Sequence, residues 1–302
     1  MRVFLTGATG YIGGSIADLL LRSGHQVDGL ARTEDKAREL ERRGITPVLG
    51  TLDDAALLTA RARDADAVVN AANSDHRGAV EALVEGLAGT GRPLVHTSGS
   101  AIVSTDSRGA ATDDVFTEEI IATGSNWRPI EEKAARVALD RFVLDAANRD
   151  VRSVVLCNPL IYGHGRGMAR DSVQVPVLAR QARDSGIARH VGEGRNIWST
   201  VHIDDLTDLY LRALTDAPAG SFYFVENGEA SFGDISAAIS RKLGLGPAEA
   251  WDADAAVAHW GRDLTLYALA SNSRVRGGRA LTELGWRPVH SSVLEWIEKD
   301  LV

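Results

Sequence analysis

The sequence predicts an α/β protein: a doubly wound parallel sheet with helices on both faces, followed by a smaller C-terminal lobe. Three observations carry this reading. Short apolar runs alternate with helical patterns through the first 156 residues. A glycine-rich turn, Thr6-Gly7-Ala8-Thr9-Gly10-Tyr11-Ile12-Gly13, joins the first run to the first helix. After Pro159 the rhythm breaks.

The elements follow in order. Residues 3–6, 27–30, 47–49, 67–70, 94–97 and 153–156 are brief and apolar, as buried strands are. Between them, residues 11–23, 33–43, 53–63, 78–88 and 129–148 carry helical spacing, with Ile16, Leu19 and Leu20 on one face of the first. This alternation makes the strands parallel and places ligands beyond their carboxyl ends. The first domain is read as 1–158 and the second lobe as 159–302, with strands from about 195–226 returning to the main sheet. Glycines at 163, 165, 167, 192 and 194 mark irregular turns, and helices are expected at 203–214, 232–243, 248–260 and 291–301. Asp252-Ala253-Asp254 reads as a solvated helix face.

The 302 residues are 44% apolar with a net charge of −8, enough for a sizeable core in one large domain or two lobes. The acidic balance argues against nucleic acid as the main partner. Cys157 is the only cysteine, so an intrachain disulfide and a cysteine metal cluster are excluded; its neighbours Val154, Val155 and Leu156 predict a buried, inert thiol. The histidines lack ligand spacing, so no metal site is expected, and no Gly-x-Ser-x-Gly elbow for hydrolase chemistry is present. No apolar run approaches the ~20 residues that cross a bilayer. A strand from residue 2 leaves no room for a leader, so a cytoplasmic protein without a membrane partner is expected.

The glycine turn is a dinucleotide phosphate site by its mechanics. Gly7 allows the tight turn, Gly10 lets backbone approach the pyrophosphate, and Gly13 lets helix pack on strand. The helix start adds unpaired N–H groups and partial positive charge, so Thr9, Tyr11 and Ile12 are expected beside the cofactor. At the end of the second strand an acidic side chain would hold the ribose of NAD. Here Ala31 takes that place and Arg32 follows, with Lys36 one turn on, which predicts NADP(H). Asp28 lies too early in its strand for the ribose role.

With these residues in view, the chain resembles the extended short-chain dehydrogenase/reductase family, built on the Rossmann fold, over nearly its whole length. Gly50-Thr51-Leu52-Asp53-Asp54 is similar to the family's loop along the adenine, which implies cofactor contacts from Thr51 and Leu52. Asn70-Ala71-Ala72 is similar to its strand-four end near the ribose, and Thr97-Ser98-Gly99-Ser100 to its serine-rich strand-five end. Asn158-Pro159-Leu160-Ile161-Tyr162-Gly163 resembles the loop into the substrate lobe. Val201-His202-Ile203-Asp204-Asp205-Leu206 and Leu284-Gly285-Trp286-Arg287-Pro288 match late family signatures.

Two departures matter. Thr51 stands where the family has an aspartate. The family's catalytic Tyr-x-x-x-Lys is altered: Lys133 is present, but Pro129 stands four residues before it, and no tyrosine occurs between Tyr11 and Tyr162. This resembles an atypical subgroup. Hydride transfer to a carbonyl needs a proton donor and preorganised hydrogen-bond donors. Ser100, Ser98 and Lys133 are the expected catalytic residues, with Lys133 also holding the ribose. A lysine desolvated near a cationic nicotinamide would have a lowered pKa. His76, Tyr162 and Trp198 are expected on the substrate side; a tryptophan there suggests an apolar or aromatic face. Asp75 with His76 also reads as a solvated loop pair, and Tyr162 as a packing aromatic.

The expected function is an NADP-dependent oxidoreductase acting on a small carbonyl or alcohol. A non-redox NADP-binding sensor and an isomerase with retained cofactor stay open. The resemblance allows a homodimer through the two long helices flanking the catalytic strand.

Overall fold

The computed structural model describes residues 1–122 and 124–302. Its centre is a seven-stranded parallel sheet of β1 (Arg2–Thr6), β2 (Gln26–Ala31), β3 (Thr46–Leu49), β4 (Ala67–Asn70), β5 (Pro93–Gly99), β6 (Arg152–Asn158) and β7 (Ser221–Phe224). In space the order is β7-β6-β5-β4-β1-β2-β3. The chain winds outward from β1 to β3, then crosses back to place β4 on the other side of β1. That reversal opens a crevice at the carboxyl ends of β1 and β4, where such sheets bind ligands.

Five helices cover the first six strands: α1 (Tyr11–Arg22), α2 (Glu34–Arg42), α3 (Ala55–Asp64), α4 (Arg77–Leu87) and α5 (Glu131–Asp145). Successive strand residues point to opposite faces. Val3 and Leu5 pack with Ile16 and Leu20, whereas Phe4 packs on the other side with Leu58, Leu83 and Val137.

The C-terminal lobe carries α6 (Gln174–Ser185), α7 (Ile203–Asp216) and α8 (Phe232–Leu243). Leu160, Leu178, Trp198, Phe232 and Ile297 form its own apolar centre. It sits directly on α1. A Cβ at Gly14 would lie 2.8 Å from the Gly167 Cα, and the Arg166 N–H donates to Ser15 Oγ at 3.0 Å.

Four elements differ from their sequence expectation. The strand expected at 153–156 runs through Asn158 because seven consecutive residues pair with β5, carrying polar Ser98 and Asn158 into the ladder. The helix expected from 129 starts at Glu131, since Ile130 is extended (ψ 159°) behind Pro129. The helix expected over 248–260 divides into a strand, Glu249–Trp251, and a helix, Ala253–Trp260. Asp252 ends the strand and caps the helix, accepting from the N–H groups of Asp254 and Ala255, so it has a structural task beyond a solvated face. Of the region 195–226, only β7 joins the central sheet; Ile197–His202 pairs with Leu160–Tyr162 and Glu229–Ser231 in the lobe. Both edges of β6 are already taken, by β5 and β7.

Among the described residues, no helix is long and apolar enough to cross a membrane, and no group of three metal-ligating side chains converges. Cys157 is fully buried.

Candidate active site

The loop between β1 and α1 is shaped by backbone crowding. Gly7 has φ +78°, and a Cβ there would stand 2.4 Å from the Ala71 carbonyl oxygen. A Cβ on Gly13 would stand 2.2 Å from the Gly7 carbonyl oxygen. Both distances are impossible for any larger residue, so the turn closes tightly on β4 and packs α1 against its own entry. Gly10 begins α1 and provides no side-chain cap. The first-turn N–H groups of α1 are thereby left for an anion. This cradle fits the diphosphate of a nicotinamide dinucleotide.

Beside it lies a cleft of about 430 Å³ at the carboxyl ends of β4, β5 and β6. Tyr11, Ile12, Ala71, Ala72, Thr97, Ser98, Ser100, Asn158, Pro159 and Trp198 line it, all of them singled out from the sequence. The cleft also receives Arg136 from α5, and Ile161, Val173 and Gln174 from the lobe. Trp198 is fixed by its indole N–H, which donates to the Ser271 carbonyl at 2.9 Å. The Tyr11 hydroxyl donates to the Gly163 carbonyl at 2.9 Å, tying the phosphate loop to the lobe.

Each serine is held from behind. Ser273 Oγ donates to the Ser100 carbonyl at 2.8 Å, so the Ser100 hydroxyl donates to Ser273 Oγ at 2.7 Å. Ser98 Oγ lies 2.7 Å from Asp140 Oδ2. Asp140 is fully buried, and burial pushes its carboxyl up to about 7, against the hydrogen bond from Ser98 and the charge of Arg136. Among the described residues its other oxygen has no hydrogen-bond partner; it faces His96 Nε2 at 3.8 Å. His96 is also fully buried, and burial lowers it to about 4, so it is a neutral imidazole. Its Nδ1 sits 3.0 Å from Asn70 Nδ2, and Asn70 Oδ1 accepts from the Thr6 hydroxyl.

Arg136 is anchored by Asp75, with Nε donating to Oδ1 at 2.7 Å and Nη2 to Oδ2. The pairing lowers the Asp75 carboxyl and raises Arg136, so both stay charged.

Several residues expected at the site are engaged elsewhere. The Lys133 ammonium lies over the ring of Tyr267, 4.6 Å from its centroid, and does not line the cleft. Burial lowers its pKa, and the nearby Arg136 lowers it further. One turn along α5, Arg136 takes the cleft position instead. His76 caps α4: Nδ1 accepts from the Ala79 N–H at 3.1 Å, and Nε2 lies 3.0 Å from Asp53 Oδ1. Tyr162 is buried in the lobe, its hydroxyl donating to the His290 carbonyl at 3.0 Å. The Asn70 side chain is engaged with Thr6 and His96. Leu52 packs on the apolar core, while Thr51 Oγ1 accepts from the Asp53 N–H at 3.2 Å. Arg32 and Lys36 are exposed at the end of β2 and the start of α2, without an ion pair among the described residues. Asp28 pairs with Arg2 at 2.6 Å, which explains its place in mid-strand.

Arg136, Asp140 and His96 were not singled out from the sequence. The signals were present but faint. Arg136 and Asp140 are four apart on one helix face, and His96 interrupts an apolar strand.

Residues 3–225 match the model of the NAD dependent epimerase/dehydratase family. The chain is 33% identical to the oxidase ucsJ of an Acremonium species, over 98% of this chain and 95% of that protein. It is 27% identical to the 4-hydroxy-2-methyl-3-oxo-4-farnesyl-3,4-dihydroquinoline-1-oxide ketoreductase of Stigmatella aurantiaca, over 76% of this chain and 69% of that protein. In fold it resembles the UDP-glucose 4-epimerase of Thermotoga maritima, with a TM-score of 0.77 and 15% identity, over 100% of this chain and 97% of that one. The glycine cradle, the parallel sheet and the matched region agree: this chain belongs to the NAD-dependent epimerase/dehydratase family, as an oxidoreductase that binds a nicotinamide dinucleotide.

Proposed function

We propose that the chain is an NADP(H)-dependent oxidoreductase that interconverts a small carbonyl compound and its alcohol. The observation that carries this reading is the convergence of Ser98, Ser100, Arg136 and Trp198 on one cleft beside the α1 N-terminus. A bound NADPH would supply hydride to a carbonyl carbon, and solvent the proton that completes the alcohol. The Ser98 hydroxyl and the Arg136 guanidinium would then serve the carbonyl oxygen, where negative charge develops, with Ser100 lining the cleft beside them. Asp75 fixes the guanidinium so that it need not reorganise. Trp198, Ile161, Val173 and Pro159 give the cleft a largely apolar wall, suited to a compact apolar or aromatic substrate. That a relative of this chain is a ketoreductase supports the same reading.

NADP(H) is favoured over NAD(H) by Arg32. It stands exposed at the end of β2, after Ala31 rather than an acid. A guanidinium there meets a 2′-phosphate with paired donors. The test is a cofactor titration. Arg32→Ala is expected to weaken NADPH binding by about 10- to 100-fold, the worth of a charged hydrogen bond, and to leave NADH nearly untouched. Equal losses for both would remove the NADP assignment. Following NADPH absorbance over a panel of ketones and aldehydes tests turnover itself.

A further inference from the structure

We propose that Asp140 is a buried positioning residue that, in its protonated form, donates to Ser98 Oγ and so turns the Ser98 hydroxyl hydrogen into the cleft. The effect on turnover rests on the oxidoreductase reading above; the protonation of Asp140 does not.

The geometry leaves few choices. A serine hydroxyl has one hydrogen. If Asp140 is ionised, that hydrogen is taken by Oδ2 at 2.7 Å, and Ser98 offers only lone pairs to the cleft. If Asp140 is protonated on Oδ2, Ser98 accepts from it and its own hydrogen is free. Ser100 is no substitute, because its hydrogen is already committed to Ser273. Whether Ser98 offers the cleft a hydrogen therefore depends on Asp140.

The surroundings favour the protonated form. The groups facing Asp140 are Ser98 and His96 on β5, Cys157 on β6, Arg136 on α5 and Asp75 after β4. His96 carries no charge at neutral pH, and Cys157 is a buried thiol whose ionisation burial opposes. Arg136 is the one cation among the described residues that face it, and its charge is already met by Asp75. His96 Nδ1 accepts from Asn70, which puts the ring hydrogen on Nε2, 3.8 Å from Asp140 Oδ1 and beyond hydrogen-bond reach. Among the described residues that oxygen has no donor, as suits the carbonyl oxygen of a neutral acid and not a buried carboxylate.

The experiment has two arms. In the first, the cofactor-free chain carries carbon-13 at its aspartate carboxyls and is titrated by NMR. The signal that disappears in Asp140→Asn is expected to titrate near neutral pH, well above the exposed aspartates. Ser98→Ala, which removes only a hydroxyl, is expected to move that titration and serves if the Asn variant does not fold. A signal that titrates with the exposed aspartates, or that Ser98→Ala leaves in place, overturns the proposal. In the second arm, kcat for carbonyl reduction is measured against pH with saturating NADPH. The native chain is expected to lose activity as Asp140 ionises. Asp140→Asn keeps an N–H on Ser98 at every pH, so that alkaline fall should vanish. An unchanged fall in the variant overturns the proposal. Failure of the native chain to turn over any carbonyl would instead count against the oxidoreductase reading, with the first arm still deciding Asp140.

Discussion

The two ends of the cleft are built by different means. At the β1–α1 end, function rests on backbone: Gly7 and Gly13 have no room for a Cβ, and the ligand-facing groups are main-chain N–H groups. At the β5–α5 end it rests on side chains stacked in depth, from Ser98 through Asp140 to His96 and Asn70, with Arg136 held by Asp75 alongside. The first kind of site is written in eight consecutive residues, with the backbone at Ala71 closing on Gly7. The second brings together positions 70, 75, 96, 98, 136 and 140, which only the sheet order makes neighbours.

Substitutions at each end test this contrast. The largest effect is expected at the backbone end. Gly13→Ala forces a Cβ to 2.2 Å from the Gly7 carbonyl oxygen. Loss of about 3 kcal/mol or more of stability and of measurable cofactor binding is expected, read by thermal melting and fluorescence titration. A variant that binds normally would mean the loop relaxes, and the contrast would fail.

At the side-chain end, Arg136 and Lys133 are to be compared directly. Arg136→Ala is expected to lower kcat/KM by roughly 100-fold, as loss of a preorganised charged donor does. Lys133→Ala removes a cation–π contact to Tyr267, worth about 0.5–1 kcal/mol, and should leave kcat within a few-fold. The reverse ranking would return Lys133 to the site.

The last effect is a gradual slope instead of a single loss: a pH dependence of stability. Asp140 titrates at about 7 when folded and near 3.8 in its ordinary state. The folded state therefore holds a proton that the unfolded chain releases. Stability from this group is fully present below about pH 4, falls as pH rises towards about 7, and is level above. Asp140→Asn has no such slope. Its stability relative to the native chain should improve by about 1 kcal/mol for each pH unit between pH 4 and pH 7 in denaturant melts. Parallel stability curves would show Asp140 ionised throughout.

Much of the fold was legible because its signals are local. All six predicted strands of the first domain lie in the sheet, and their limits shifted by at most two or three residues where pairing extended them. Asp252 is exposed as the sequence suggests, but its capping role is not legible there, because a cap and an exposed helix position look alike until the chain before it is known to be a strand. Lys133 drew attention because the family pattern places a lysine there. Helix α5 starts two residues after Pro129, and Tyr267, far along the chain, claims the ammonium.

By itself, the sequence determined the parallel α/β architecture and the glycine cradle for a dinucleotide phosphate. Apolar periodicity and the conformational freedom of glycine act within a few consecutive residues. Only the tertiary structure decided which cation reaches the cleft and which carboxyl stands behind Ser98. Those outcomes depend on helix phase, on burial, and on partners more than forty positions away.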